Sequence, residues 1–459
     1  MRARTVEVDP GWPRRAAGWA VVVVGTGALA GLTGAVLTLL LHAVQHLAFG
    51  YGGETPFLIG EEQVGALRRS AVLIGTGLGT GLAWWLFTKT LGRGPNVRRA
   101  LTDEHLPVAS TSLSAVIQIV TVALGASLGR EGAPREVGAA CGLRLSQWAG
   151  LSARHRQVVL AAGAGAGLAA VYDVPVAGVL FALETLLVSW ALSDLVVTTA
   201  VVAVATAVSL FFLPGHPTYS LPVLHTGVGT DLGAVLLGPL AGVGAALFSR
   251  LARAAASRAP SGWLLVPGAL IAFTLLAALS TWKPELLGNG RGPAQLVFAG
   301  TLALPVAALL VLLKPIATAL CLRGGAVGGL LTPAFSTGSL LGLLAGAAWQ
   351  HVSATSQPVA FAVLGGTAVL AGTMRAPLTA LALGLEFTGA PLTFLLPLTL
   401  AVLGSTYTSR RLSGPLAPQV DADIESQVVP SGRLQPQLPA EQRAADRLYG
   451  LRHRTQGDR

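Results

Sequence analysis

Between Gly125 and Gly142 the chain reads GASLGREGAPREVGAACG, with Arg130, Glu131, Arg135 and Glu136 set among glycines in an otherwise apolar stretch. Charged side chains in such surroundings lose their hydration, so they are kept only when paired or used for function. Two chemistries suit this set. The charges can neutralise one another as a structural cluster, or a carboxylate can serve as a movable anion and proton acceptor. Glu131 carries the second reading, while Arg130, Arg135 and Glu136 are expected to balance one another or face the protein interior. Other chemistry has thinner support. His42 and His46 stand at i, i+4 with no carboxylate or third ligand beside them, so they read as a helix face and not a metal site. Cys141 and Cys321 lie in apolar surroundings, and neither a disulfide framework nor a metal site is expected. An HExxH motif and paired membrane aspartates are both missing, which argues against a polytopic membrane enzyme.

The elements that must hold these residues are membrane helices. Only 11% of the 459 residues are charged and 52% are hydrophobic, whereas about a quarter of a soluble domain is charged. Apolar segments recur near 16–48, 70–91, 108–128, 156–171, 174–189, 195–213, 232–256, 263–281, 296–322, 325–350, 358–373, 376–389 and 391–408. Some far exceed the ~20 residues that span a bilayer and imply steep tilt; others are too short and must be partial or re-entrant. Their Gly and Ala content suits closely packed membrane helices. The first run is too long for a signal-peptide core, and Arg2, Arg4, Arg14 and Arg15 before it favour a cytoplasmic start. The expected organisation is a cytoplasmic segment 1–15, a membrane domain 16–412 and a polar cytoplasmic tail 413–459. The net charge of +10 comes mostly from loop and tail arginines. It does not suggest nucleic acid, though such a field attracts small anions.

An internal repeat is more informative. At a shift of 200 residues, Gly125, Gly129, Gly138 and Gly142 fall on Gly325, Gly329, Gly338 and Gly342, and Ala126 on Ala326. At a shift of 202, PVAGVLFALE (Pro175–Glu184) meets PLTALALGLE (Pro377–Glu386). Halves of about 16–213 and 232–412, with glycine-broken helices in corresponding places, point to a binding site between the repeats. In both broken segments, GASLGREGAP and GGAVGGLLTPAF, the glycines precede a helix start, and Pro134 and Pro333 suit a first turn. Helix N-termini expose unpaired N–H groups and about half a positive charge. Two such ends make an anion site without a full cation in the pathway. A carboxylate there can occupy the anion's place, and vacate it when protonated or swung aside.

These residues resemble a family. GREGAP is similar to the GREGP signature of the CLC chloride channels and chloride/proton antiporters, and GGLLTP to their GGxFxP signature. AAVYDVPVAGVLFALE and MRAPLTALALGLE resemble the segments that follow in each half, and the resemblance runs from about Ala16 to Leu412. It implies an all-α polytopic CLC-type fold of two inverted repeats, assembled as a homodimer, each subunit with its own anion pathway and no cofactor. Glu131 matches the gating glutamate. Gly129, Arg130, Gly132 and Ala133, with Gly329, Leu330, Leu331 and Thr332, match the anion-holding ends, Arg130 more as a structural ion-pairing residue than as a direct contact. Chloride, with possible other small anions and protons, is the implied cargo, and the lipid bilayer the setting.

The departures bear on mechanism. The family's early serine is matched by Arg93 in GRGPN, and its late tyrosine by Ala417; Tyr407 is the nearest aromatic substitute. Arg93 can point into the pathway or sit with Arg98 and Arg99 on the cytoplasmic face. The internal glutamate of antiporters corresponds to Thr185, after Glu184 in FALET, and a threonine does not carry a proton as a carboxylate does. That tilts the sequence reading toward a chloride channel gated by Glu131, with a chloride/proton antiporter as the alternative. Glu184 and Glu386, at equivalent repeat positions, read as structural. The expected location is the cell membrane, multi-pass, with both termini cytoplasmic.

Overall fold

The computed structural model describes residues 12–51, 57–92, 94–213 and 215–413. Where no water is at hand, an apolar chain must satisfy its backbone internally, and helices do this locally. Seventeen α-helices form among the described residues. The first half holds α1 (Trp12–Phe49), α2 (Phe57–Gln63), α3 (Ala66–Leu91), α4 (Val97–Asp103), α5 (Val108–Ala123), α6 (Gly132–Trp148), α7 (Ala153–Tyr172), α8 (Pro175–Leu180) and α9 (Leu192–Leu210). The second holds α10 (Val228–Ala256), α11 (Leu265–Trp282), α12 (Arg291–Phe298), α13 (Leu304–Arg323), α14 (Leu331–Trp349), α15 (Pro358–Met374), α16 (Pro377–Thr388) and α17 (Leu395–Ser413). Among the described residues eight helical stretches are long and apolar enough to cross a membrane, so this is a multi-pass membrane protein. With 29 residues, α10 is about 44 Å long against ~30 Å of hydrocarbon, and so must tilt.

The last five helices of each half follow in the same order, α5 to α9 and α13 to α17. Two boundaries differ from the sequence expectation. The apolar run 296–322 is divided by a turn between α12 and α13, and the run 325–350 becomes helical only at Leu331. The glycines before Leu331 release the backbone from helix, which hydropathy does not register. The expected tail 413–459, apart from its first residue, lies outside the described residues, as does most of the segment 1–15.

Packing repeats along with the order. Helix α6 lies on α7, and α14 on α15. At the first crossing a β-carbon on Gly138 or Gly163 would collide with the other's carbonyl oxygen, and Gly338 and Gly365 stand in the same relation at the second. The backbones therefore touch, as small-residue crossings allow. The links between α7 and α8 and between α15 and α16 also correspond, each turning through a left-handed residue, Asp173 at φ 55° and Arg375 at φ 57°. One element breaks the symmetry. After α8 the chain continues as a π-helix, Phe181–Leu187, whereas α16 stays α-helical to Thr388.

Candidate functional site

Helices α5 and α13 end in the same way. Gly125 (φ 102°) and Gly325 (φ 83°) take backbone angles that side chains disfavour, turning the chain out of helix. Ala126 N–H then donates to Thr121 O at 3.2 Å, and Ala326 N–H to Cys321 O at 3.0 Å. The two extended loops meet as an isolated antiparallel bridge. Gly129 N–H donates to Gly329 O at 2.6 Å and Gly329 N–H to Gly129 O at 2.9 Å. Past the bridge, α6 starts at Gly132 with Glu131 at its cap position, and α14 starts at Leu331 with Leu330 at its cap position. Pro134 and Pro333 both fall in the first turn, where the missing N–H costs nothing.

Glu131 is fully buried. Its carboxylate does not cap the helix it begins. Oε1 accepts from Leu331 N–H at 2.8 Å, at the start of α14, 200 residues away. Oε2 accepts from the Tyr172 hydroxyl at 3.0 Å. A β-carbon at Gly129 or Gly329 would overlap this carboxylate, so both bridge glycines are needed for it to lie between the loops. The negative group thus sits on the positive end of the opposite half's helix, where the dipole and free N–H groups favour an anion.

The remaining charges of the segment rest on aromatic rings and hydrogen bonds. The Arg130 guanidinium lies 5.0 Å from the centre of the Tyr172 ring and donates to Val171 O at 3.2 Å. Arg135 covers the Phe181 ring at 5.0 Å. Buried Glu136 accepts from Gln118 Nε2 at 2.8 Å, and the same amide donates to Ser114 Oγ at 3.1 Å. Gly132, Ala133, Leu331 and Thr332 are buried around Glu131, and Leu330 is partly exposed.

Glu184 and Glu386 form a reciprocal pair. Glu386 accepts from Val176 N–H and Ala177 N–H, both at 2.8 Å, capping α8. Glu184 accepts from Leu378 N–H at 3.1 Å and from Thr379 N–H and Oγ1, both at 2.7 Å, capping α16. Each carboxylate again serves the other half's helix, and the structural reading of both rests on these contacts. Thr185 accepts from Arg98 through its carbonyl at 3.0 Å, and its hydroxyl is buried without a partner. Tyr407, the expected aromatic substitute, is 63% exposed on α17 beneath Arg411. Arg93 and Ala417 lie outside the described residues.

Two residues escaped the sequence reading. Tyr172 ends α7, a helix built mostly of Ala, Gly, Val and Leu, and its position beside the αL turn was the available signal. Fully buried Lys314 donates to the carbonyls of Leu286 at 2.8 Å, Leu287 at 3.3 Å and Gly288 at 2.9 Å. Gly288 N–H in turn donates to Gly125 O at 3.1 Å, so Lys314 braces the loop behind the bridge.

The chain resembles known proteins in sequence and in fold. A family model described as "Voltage gated chloride channel" matches residues 79–410. A putative chloride channel protein ClcB-like from Ralstonia nicotianae is 32% identical over 337 residues, which cover 69% of this chain and 75% of that protein. A protein named H(+)/Cl(-) exchange transporter ClcA, from Vibrio cholerae, is 31% identical over 334 residues, covering 69% of this chain and 70% of its own length. The namesake from Cronobacter sakazakii is 30% identical over 315 residues, covering 64% of this chain and 65% of that protein. Among solved structures, a slow cyanobacterial Cl-/H+ antiporter matches with a TM-score of 0.77 at 19% identity, over 88% of this chain and 97% of the other. A CLC-type fluoride/proton antiporter matches with a TM-score of 0.71 at 19% identity, over 86% and 96%. At that identity the structural likeness speaks to the fold.

Proposed function

We propose that this chain, which belongs to the voltage-gated chloride channel family, exchanges chloride for protons across the cell membrane, with Glu131 as the proton acceptor. The observation that carries the reading is the Glu131 carboxylate seated on Leu331 N–H at 2.8 Å. Ionised, the carboxylate occupies the helix end that would hold a chloride ion. Protonated, it loses the charge that the α14 N-terminus attracts, and chloride replaces it. One position then serves anion and carboxylate in turn, and that competition couples the two flows. The names of the ClcA relatives support exchange over the channel reading, to which Thr185 alone had inclined the sequence.

The channel remains the second reading because of Thr185, which offers no carboxylate on the way to Glu131 and whose hydroxyl is buried. Chloride and proton movement measured together on purified protein in liposomes decides between them. Exchange predicts proton uptake driven by a chloride gradient in fixed proportion to chloride efflux. Chloride efflux with no pH change is the channel result. A homodimer with both termini cytoplasmic and an anion pathway in each subunit completes the proposal.

A further inference from the structure

The donors that hold the Glu131 carboxylate are also the donors an incoming anion would inherit. One is the Leu331 amide. The other is the phenol of Tyr172, which lies outside both glycine-rich signatures. When the carboxylate leaves, both are buried donors without an acceptor, a costly state in a dry interior. Tyr172 has little freedom to find another partner. Its ring is pinned between the Arg130 guanidinium at 5.0 Å and the edge of Phe387 at 5.2 Å. A cation over a phenol ring also withdraws electron density and makes the hydroxyl a stronger donor. The side chain of Thr332 borders the same hydroxyl.

A second buried tyrosine lies one aromatic ring away. Tyr219, in the connection between the halves, is buried at 1% exposure and its hydroxyl has no hydrogen-bond partner. The rest of the residue is well held. Its N–H donates to Phe387 O at 2.8 Å, and its ring stacks on Phe335 of α14 at 5.3 Å and 18°. It meets Phe387 at 6.1 Å, so the two tyrosines pack against one phenylalanine. Its hydroxyl lies within electrostatic reach of Glu131, Arg130 and Arg291. A buried hydroxyl without a partner is unusual and asks for an occasional ligand.

We infer that Tyr172 and Tyr219 supply the side-chain hydroxyls that ligate a halide, together with the Leu331 amide, once Glu131 has moved away. This rests on the proposed reading that the carboxylate and the anion share one place. The halide accepts two O–H···X bonds and one N–H···X bond. The hydroxyl that latches the ionised gate shut is thus the one that welcomes its competitor.

The test is chloride titration by calorimetry on purified protein carrying Glu131→Ala, which removes the internal competitor. Adding Tyr172→Phe should weaken chloride binding about tenfold, the size of one hydrogen bond to an ion, and Tyr219→Phe about threefold. Equal affinity with and without Tyr172→Phe overturns the inference while leaving the shared place intact. Failure of Glu131→Ala itself to bind chloride, with the protein still folded, overturns the shared place and the inference with it. A chloride-dependent ultraviolet difference signal of buried tyrosine gives a second readout in wild-type protein. It should shrink in Tyr172→Phe and be lost when Tyr172→Phe and Tyr219→Phe are combined, and its persistence in the double variant counts against the assignment.

Discussion

The two halves place the same backbone around the bridge, but only the first puts a carboxylate there. Gly129 faces Gly329, Gly138 and Gly163 match Gly338 and Gly365, and the αL residue Asp173 matches Arg375. Glu184 and Glu386 even exchange caps. At the first helix end stands Glu131, whose repeat partner is Leu331. What the halves share builds a pair of converging helix ends; what they do not share chooses which end is blocked and by what. The π-helical turn that holds Glu184 and Thr185 is a second asymmetry, again in the first half.

Removing the unmatched carboxylate should have the largest effect. Glu131→Ala is expected to abolish chloride-driven proton movement in liposomes while chloride flux persists, and Leu331→Ala should leave coupling in place. Loss of coupling in Leu331→Ala alone would mean that the asymmetry has been read the wrong way round. Next comes the space that both halves keep clear. Gly329→Ala puts a methyl group where the carboxylate rests, so the gate should be displaced, with chloride efflux rising roughly tenfold for a displaced contact of about 1–2 kcal/mol.

The shared scaffold should respond symmetrically. Gly138→Ala and Gly338→Ala each force apart a glycine crossing and should cost about 1–3 kcal/mol, seen as lower thermal stability of purified protein. A much smaller loss at one crossing than at the other would show that the halves are not mechanically equivalent. Glu184→Gln and Glu386→Gln each weaken a cap and should cost about 1 kcal/mol apiece in the same assay. A fall in proton flux in Glu184→Gln alone would show that Glu184 relays protons as well as capping α16. Tyr407→Phe should change neither flux, since the ring faces outward.

Much of this arrangement was legible in the chain. The broken spans, the offset glycines and the helix starts near Pro134 and Pro333 follow from hydropathy and glycine chemistry, which act within a few residues. The contacts of Tyr172 and Lys314 were not legible, because a tyrosine at a helix end and a lysine within an apolar run have no local partner to betray them. Their acceptors are Glu131, 41 residues away, and carbonyls 26 to 28 residues away. The exposure of Tyr407 was likewise decided by which face of α17 the rest of the protein covers.

By itself the sequence determined that two helices begin inside an apolar body and that one of them begins at a carboxylate. Only the tertiary structure decided where that carboxylate goes. Glu131 caps the opposite half's helix, as Glu184 and Glu386 do, because the fold sets each carboxylate against the unpaired N–H groups that begin that helix. The inverted repeat brings such a group within 2.8 Å of each.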